Sequence, residues 1–189
     1  LAYSAIAHTG YLLMGLAAVA ASRSLAGASA LFFYLMAYAA MNTAAFTVLI
    51  SVCSGRAGGD SLAGLSGLAR RRPGLAMVMT LAMLSLTGFP PLAGFMGKFY
   101  LFRAIYESGL PFLVVLGILN SVISLFYYFR VLKAAYFVEA EEGAPAGPSL
   151  PMAQQLAFQV CLWSNVVLGL WPAVISEVER VASTITQGN

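Results

Sequence analysis

Charge is what this sequence has least of. Lys, Arg, Asp and Glu make up 9% of its 189 residues, as 10 basic and 7 acidic side chains. Soluble domains carry about 25% charged residues. With 60% hydrophobic residues and a mean hydropathy of +0.85, the chain has more apolar surface than a water-soluble fold can hide. Histidine occurs once and cysteine twice. Cys53 and Cys161 stand far apart in apolar surroundings, so no metal-ligand group assembles and both read as small buried side chains. There is no nucleophile beside a base and no Gly-rich phosphate loop, so no catalysis is expected of this chain alone. A net charge of +3 without a basic stripe and interleaved aromatics excludes nucleic acid as a partner. Lys and Arg retained on one membrane face account for it instead. The sequence opens in apolar residues with no Met, basic leader or small-residue cleavage site, so the expectation is a piece of a longer chain.

What is present is a succession of long uncharged runs separated by bunched charges, the pattern of membrane spans and short loops. The fold expected is an all-α, polytopic transmembrane bundle forming a single membrane domain over residues 1–189. Its spans are about 1–22, 25–53, 74–107 broken near 88–91, 110–137 and 154–176. Ser54 to Pro73 reads as a loop with a short interfacial helix, because Leu62, Leu65 and Leu68 recur every three residues. Glu139 to Pro151 reads as a polar loop whose prolines cannot stay helical. Five crossings result. They place Arg56, Arg70, Arg71, Arg72, Arg130 and Lys133 on one side and Arg23, Arg103 and Arg180 on the other. The positive-inside rule then assigns the first side to the cytoplasm and leaves the C-terminus outside.

Lys98 is the sharpest chemical signal, because a lysine at the bilayer centre costs roughly 2.5–3.5 kcal/mol on insertion scales and is seldom kept without a use. It follows the break Gly88-Phe89-Pro90-Pro91 by about two helical turns. Pro90 and Pro91 lack N–H donors, so carbonyls one turn earlier need other partners, such as water or the hydroxyls of Ser85 and Thr87. Broken spans are tolerated where they face protein or water, and transporters place ion sites there. The structural alternatives are a lysine that snorkels to the interface and a proline kink that serves packing alone. No span holds an acidic residue to pair with Lys98, so water, backbone carbonyls or groups elsewhere must balance it. On the first span Ser4 and His8 are four residues apart with Tyr3 and Tyr11 beside them. On the fourth, Asn120 and Ser124 share the same spacing, extended by Tyr127 and Tyr128. With Asn42 and Thr43 these form candidates for a hydrated path to Lys98, His8 being able to exchange protons near neutral pH. Interhelical hydrogen bonding uses the same residue types.

Four stretches carry a family resemblance. They are Leu1-Ala2-Tyr3-Ser4-Ala5-Ile6-Ala7-His8-Thr9-Gly10-Tyr11, the loop Gly64 to Pro73, the run Leu84 to Tyr100 through Gly88-Phe89-Pro90-Pro91 and Gly97-Lys98-Phe99-Tyr100, and Asn120 to Arg130. They closely resemble the subunit N family of bacterial NADH-quinone oxidoreductase, respiratory complex I. That family belongs to the antiporter-like, proton-conducting membrane subunits. The resemblance runs to about Phe137, with the last span similar mainly in character, and places the chain in the C-terminal part of such a subunit. It implies two inverted helical repeats, each with a discontinuous span, of which only the second falls here. It implies that Lys98 is the lysine beside that second break, passing protons toward the outer face. A related subunit has glutamate there. Another has histidines and a lysine in the span matching Leu31 to Cys53, where this chain has Tyr38, Asn42 and Thr43.

The implied activity is proton translocation coupled to quinone reduction in other subunits of a bacterial inner-membrane complex. NADH, FMN, iron-sulfur clusters and quinone are expected on those subunits and no cofactor in this chain. The implied partners are the other membrane-arm subunits and the lipid bilayer. The first repeat's glutamate and lysine, and an earlier lysine of the second, are not in this sequence, so the proton path expected here is incomplete. A membrane subunit of a cation/proton antiporter or of a membrane-bound hydrogenase would share the architecture, although Gly97-Lys98-Phe99-Tyr100 and the histidine-free second span argue against both. A purely structural membrane subunit would require Lys98 to face lipid.

Overall fold

The computed structural model describes residues 2–22, 24–53, 62–139, 152–170 and 180. Among the described residues all regular structure is helical: α1 (Ala2–Ser22), α2 (Leu25–Cys53), a 3-10 turn (Leu62–Leu65), α3 (Leu68–Arg71), α4 (Pro73–Thr87), α5 (Ala93–Glu107), α6 (Pro111–Phe137) and α7 (Met152–Leu170). In hydrocarbon a backbone must satisfy its own hydrogen bonds, which only helices and closed barrels achieve. Apolar runs without breakers therefore become helices. Pro73 and Pro111 start α4 and α6, where a missing N–H costs nothing. Helices α1, α2 and α6 are each long and apolar enough to cross a membrane, while α4 and the Phe158–Leu170 part of α7 are shorter apolar helices.

The two short helices α4 and α5 lie along successive parts of α2. Gly97 of α5 faces Tyr34 and Ala37, and Gly94 faces Met41. Met41, Ala44, Ala45 and Val48 then share one core cluster with Leu75, Ala76, Met79 and Met83 of α4. Helices α1, α6 and α7 pack around this pair. Polar side chains sit inside: Ser4, His8, Ser85, Lys98, Ser124 and Asn165 are buried, whereas Phe112, Ile118, Val122, Phe126 and Phe129 of α6 face outward. This inverts the soluble pattern, as expected where hydrocarbon is the solvent and polar groups join helices together.

The segment after α2 holds short helical turns, the 3-10 turn and α3, with Leu62 exposed and the later leucines turned inward. Leu65 and Leu68 are buried in the core cluster, the Gly67 N–H donates to the Ala134 carbonyl at 3.4 Å, and the Arg71 guanidinium donates to the carbonyls of Gly64 and Ser66. The leucines find apolar partners within the bundle, so the segment tucks under its end. It thereby sets Arg70, Arg71 and Arg72 at the same end as Arg130 and Lys133, and Arg103 lies on α5 toward the other end. Arg23 and Arg56 lie outside the described residues, as do most of the loop expected over Glu139–Pro151 and the stretch 171–176 expected to finish the last span. Cys161 is a buried free thiol; the side chain of Cys53 is outside the described set.

Candidate functional site

The break between α4 and α5 is built by three adjacent features. Gly88 adopts φ +93°, a conformation open to glycine. Its N–H reaches the carbonyls of Leu84 at 3.1 Å and Ser85 at 2.9 Å, while the Phe89 N–H reaches Leu84 at 2.9 Å, closing the helix end. Pro90 and Pro91 then have no N–H to offer the carbonyls four residues earlier, those of Leu86 and Thr87. The Lys98 ammonium supplies both missing donors, with Nζ 3.0 Å from the Leu86 oxygen and 2.8 Å from the Thr87 oxygen.

The sequence points to water or the hydroxyls of Ser85 and Thr87 as partners of these carbonyls. Both hydroxyls are committed elsewhere. Ser85 Oγ accepts the Gly94 N–H at 3.1 Å and so caps the start of α5 from α4. Thr87 Oγ1 donates to the Met83 carbonyl at 2.8 Å. Side chains on a helix point back toward its N-terminus, which aims Lys98 of α5 at the break. There its charge meets the negative end of the α4 dipole. Gly94 makes the approach possible, since a Cβ at this position would run into the Ser85 carbonyl.

Lys98 is 6% exposed, so the amine does not snorkel to the surface, and no acidic side chain bonds it among the described residues. Its Nζ lies 5.2 Å from the centroid of the Tyr11 ring, within cation–π range. Beside it an open cleft of about 390 Å³ runs between α5 and α6, lined by Phe95, Lys98, Phe99, Phe102, Ser121 and Val122 among others.

On the far side of Tyr11 lies a hydrogen-bonded chain. Along α1 the residues Ser4, His8 and Tyr11 form one buried stripe. His8 Nδ1 is 2.6 Å from the Tyr34 hydroxyl and His8 Nε2 is 3.2 Å from the Tyr128 hydroxyl. The Tyr128 hydroxyl in turn pairs with Ser4 Oγ at 2.5 Å. Tyr38 stacks on the imidazole with ring centroids 4.6 Å apart. Each member can donate one hydrogen bond and accept another, so the order Tyr34–His8–Tyr128–Ser4 can relay a proton by reversing its donors. The Tyr11 hydroxyl donates to the Gly117 carbonyl at 3.2 Å and pairs with Ser121 Oγ at 2.8 Å, tying α1 to α6.

The structure thus brings Ser4, His8, Tyr11, Tyr128 and Lys98 together beside the break at Gly88, Pro90 and Pro91. Ser124 is buried one turn from Tyr128, but its hydroxyl donates back to the Ser121 carbonyl at 2.6 Å. Asn120 is half-buried and borders Tyr11. Asn42 is half-buried on α2, outside this hydrogen-bonded set. Sequence reasoning missed Tyr34 and Ser121, although the four-residue spacing of Tyr34, Tyr38 and Asn42 along an apolar run was a signal. It also missed Asn165, buried on α7, and Gly169, where a Cβ would collide with the Pro91 carbonyl. That close approach seats α7 on the break.

Residues 1–124 match the family model described as NADH:quinone oxidoreductase/Mrp antiporter, transmembrane. The chain is 44% identical over 172 residues to NADH-quinone oxidoreductase subunit N of Syntrophotalea carbinolica, covering 91% of this chain and 36% of that protein. It is 41% identical over 184 residues to NADH-quinone oxidoreductase subunit N of Heliobacterium modesticaldum, covering 97% and 37%. Among solved structures, a chain of respiratory complex I from Thermus thermophilus with bound aureothin superposes with a TM-score of 0.76 at 34% identity, covering 93% of this chain and 38% of that one. The chain spans little more than a third of the length of these relatives.

Proposed function

This chain belongs to the NADH:quinone oxidoreductase/Mrp antiporter transmembrane family, and we propose that it carries protons across the bacterial inner membrane as part of an NADH-quinone oxidoreductase. Quinone reduction and NADH oxidation, with their flavin and iron-sulfur chemistry, take place on other subunits. The neighbouring subunits of the membrane arm are its partners. The chain is read as crossing five times, with the end carrying Arg70, Arg71, Arg72, Arg130 and Lys133 facing the cytoplasm, a reading supported by the gathering of these basic residues at one end.

The observation that carries this reading is the position of Lys98. Its amine is withdrawn from bulk water and held on two backbone carbonyls at a broken helix. Burial disfavours a charged group, while the α4 carbonyls and the Tyr11 face favour it. Small changes in the surrounding field or hydration then load or unload its proton. The Tyr34–His8–Tyr128–Ser4 chain leads away from Lys98 along α1 and supplies groups that exchange protons in sequence. Quinone reduction elsewhere would bias Lys98 through charges strung along the membrane.

The test is Lys98→Ala in the full-length subunit, with the assembled complex reconstituted in proteoliposomes. Proton uptake per NADH oxidised is expected to fall measurably, with assembly retained. Normal pumping by an assembled variant rejects the assignment.

A further inference from the structure

Lys98 and the His8 chain face each other across one side chain. The hydrogen bonds of Lys98 Nζ run to Leu86 and Thr87. Those of His8 run to Tyr34 and Tyr128. Among the described residues no hydrogen bond connects the two groups. Between them stands Tyr11, 2% exposed, whose ring packs edge-on against His8 at 5.7 Å and against Tyr34 at 6.1 Å, while Lys98 Nζ lies 5.2 Å from its centroid. A proton cannot pass through an aromatic ring. It needs water or a polar group in line.

We propose that Tyr11 is a gate between Lys98 and the His8 chain. Anchored to α6 it keeps them apart, and swung toward the cleft it admits water that joins them. The proposal rests on the reading of Lys98 as a proton carrier and adds a residue whose part is to position and separate. Two features support a movable gate over a fixed packing ring. First, the tether consists of two neutral hydrogen bonds, to Gly117 and Ser121, which are strong enough to hold one rotamer and weak enough to exchange. Second, the open cleft of about 390 Å³ reaches Lys98, Phe102 and Ser121, all of which contact Tyr11, so the ring has space to turn into. A ring leaving its place vacates a volume bounded by His8, Tyr34 and Lys98, where the third N–H of the Lys98 ammonium and a spare lone pair of the Tyr34 hydroxyl can hold a bridging water. The step moves a proton alone, without electron transfer or bond change in the protein.

The experiment measures passive proton conductance in proteoliposomes holding the assembled complex, without NADH and under an imposed potassium diffusion potential. Tyr11→Phe keeps the ring and removes both tethers. Losing one net hydrogen bond shifts such an equilibrium by about fivefold, so conductance is expected to rise several-fold over the unsubstituted complex. Adding Lys98→Ala should return it to the starting level, because the leak runs through that amine. Should Tyr11→Phe impair assembly, Ser121→Ala removes one tether from the other side and gives the same readout. Unchanged conductance in the assembled variant overturns the gate, as does a leak that persists without Lys98, which would mark a mere packing defect. Loss of pumping in Lys98→Ala alongside a tight Tyr11→Phe variant removes the gate only, whereas normal pumping in Lys98→Ala removes the reading beneath it.

Discussion

Gly94→Ala is expected to be among the most damaging methyl additions in this chain. The new Cβ would overlap the Ser85 carbonyl and press on Met41 Sδ at 2.8 Å. A carbonyl of a helix cannot rotate away as a side-chain tip can, so α5 must shift from α4. Overpacking of this kind costs about 1–3 kcal/mol. The shift also stretches the hydrogen bond from the Gly94 N–H to Ser85 Oγ, a further loss of about 1 kcal/mol, giving about 2–4 kcal/mol in all. Gly10 and Gly74 supply the controls, since a Cβ at either has nothing within 4 Å. In those helices alanine is favoured over glycine by about 1 kcal/mol. Thermal unfolding of the detergent-solubilised full-length protein should therefore show Gly94→Ala well below the parent, with Gly10→Ala and Gly74→Ala at or above it. Equal midpoints for Gly94→Ala and Gly10→Ala would refute the close packing of the break.

Two further outcomes follow from the same geometry. Ser85→Ala removes the group that caps α5 and should destabilise the protein by about 1 kcal/mol in the same melt; a neutral result would mean that the Gly94 N–H has another partner. Tyr128→Phe removes the hydroxyl between His8 and Ser4, and the pumping rate of the assembled complex should fall several-fold. An unchanged rate would remove the Tyr34–His8–Tyr128–Ser4 relay from the path.

Much of the fold was legible because in a membrane the decisive information is local. An uncharged run of sufficient length must be helical whatever its neighbours are. Thus α1, α2 and α6 begin and end within about a residue of the spans expected at 1–22, 25–53 and 110–137, although α6 carries on through Arg130 and Lys133, and Gly88-Phe89-Pro90-Pro91 broke the third run where expected. The burial of Lys98 was legible for the same reason, a lysine in such a run being too costly to leave facing lipid. The tucked segment at Leu65 and Leu68 was not, because three-residue spacing of leucines describes a face without saying what covers it.

The sequence by itself determined that this is a helical membrane protein with one broken span and a lysine set against the break, since backbone hydrogen bonding and charge burial in hydrocarbon admit few alternatives. Tertiary structure decided which groups answer that lysine. The partners of His8 lie 26 and 120 residues away, and the donors to Leu86 and Thr87 come from the next helix rather than from nearby hydroxyls. Such pairings depend on the rotation and height of each helix against its neighbours, quantities set by packing at Gly94, Gly97 and Gly117, where the loss of one Cβ lets two helices meet.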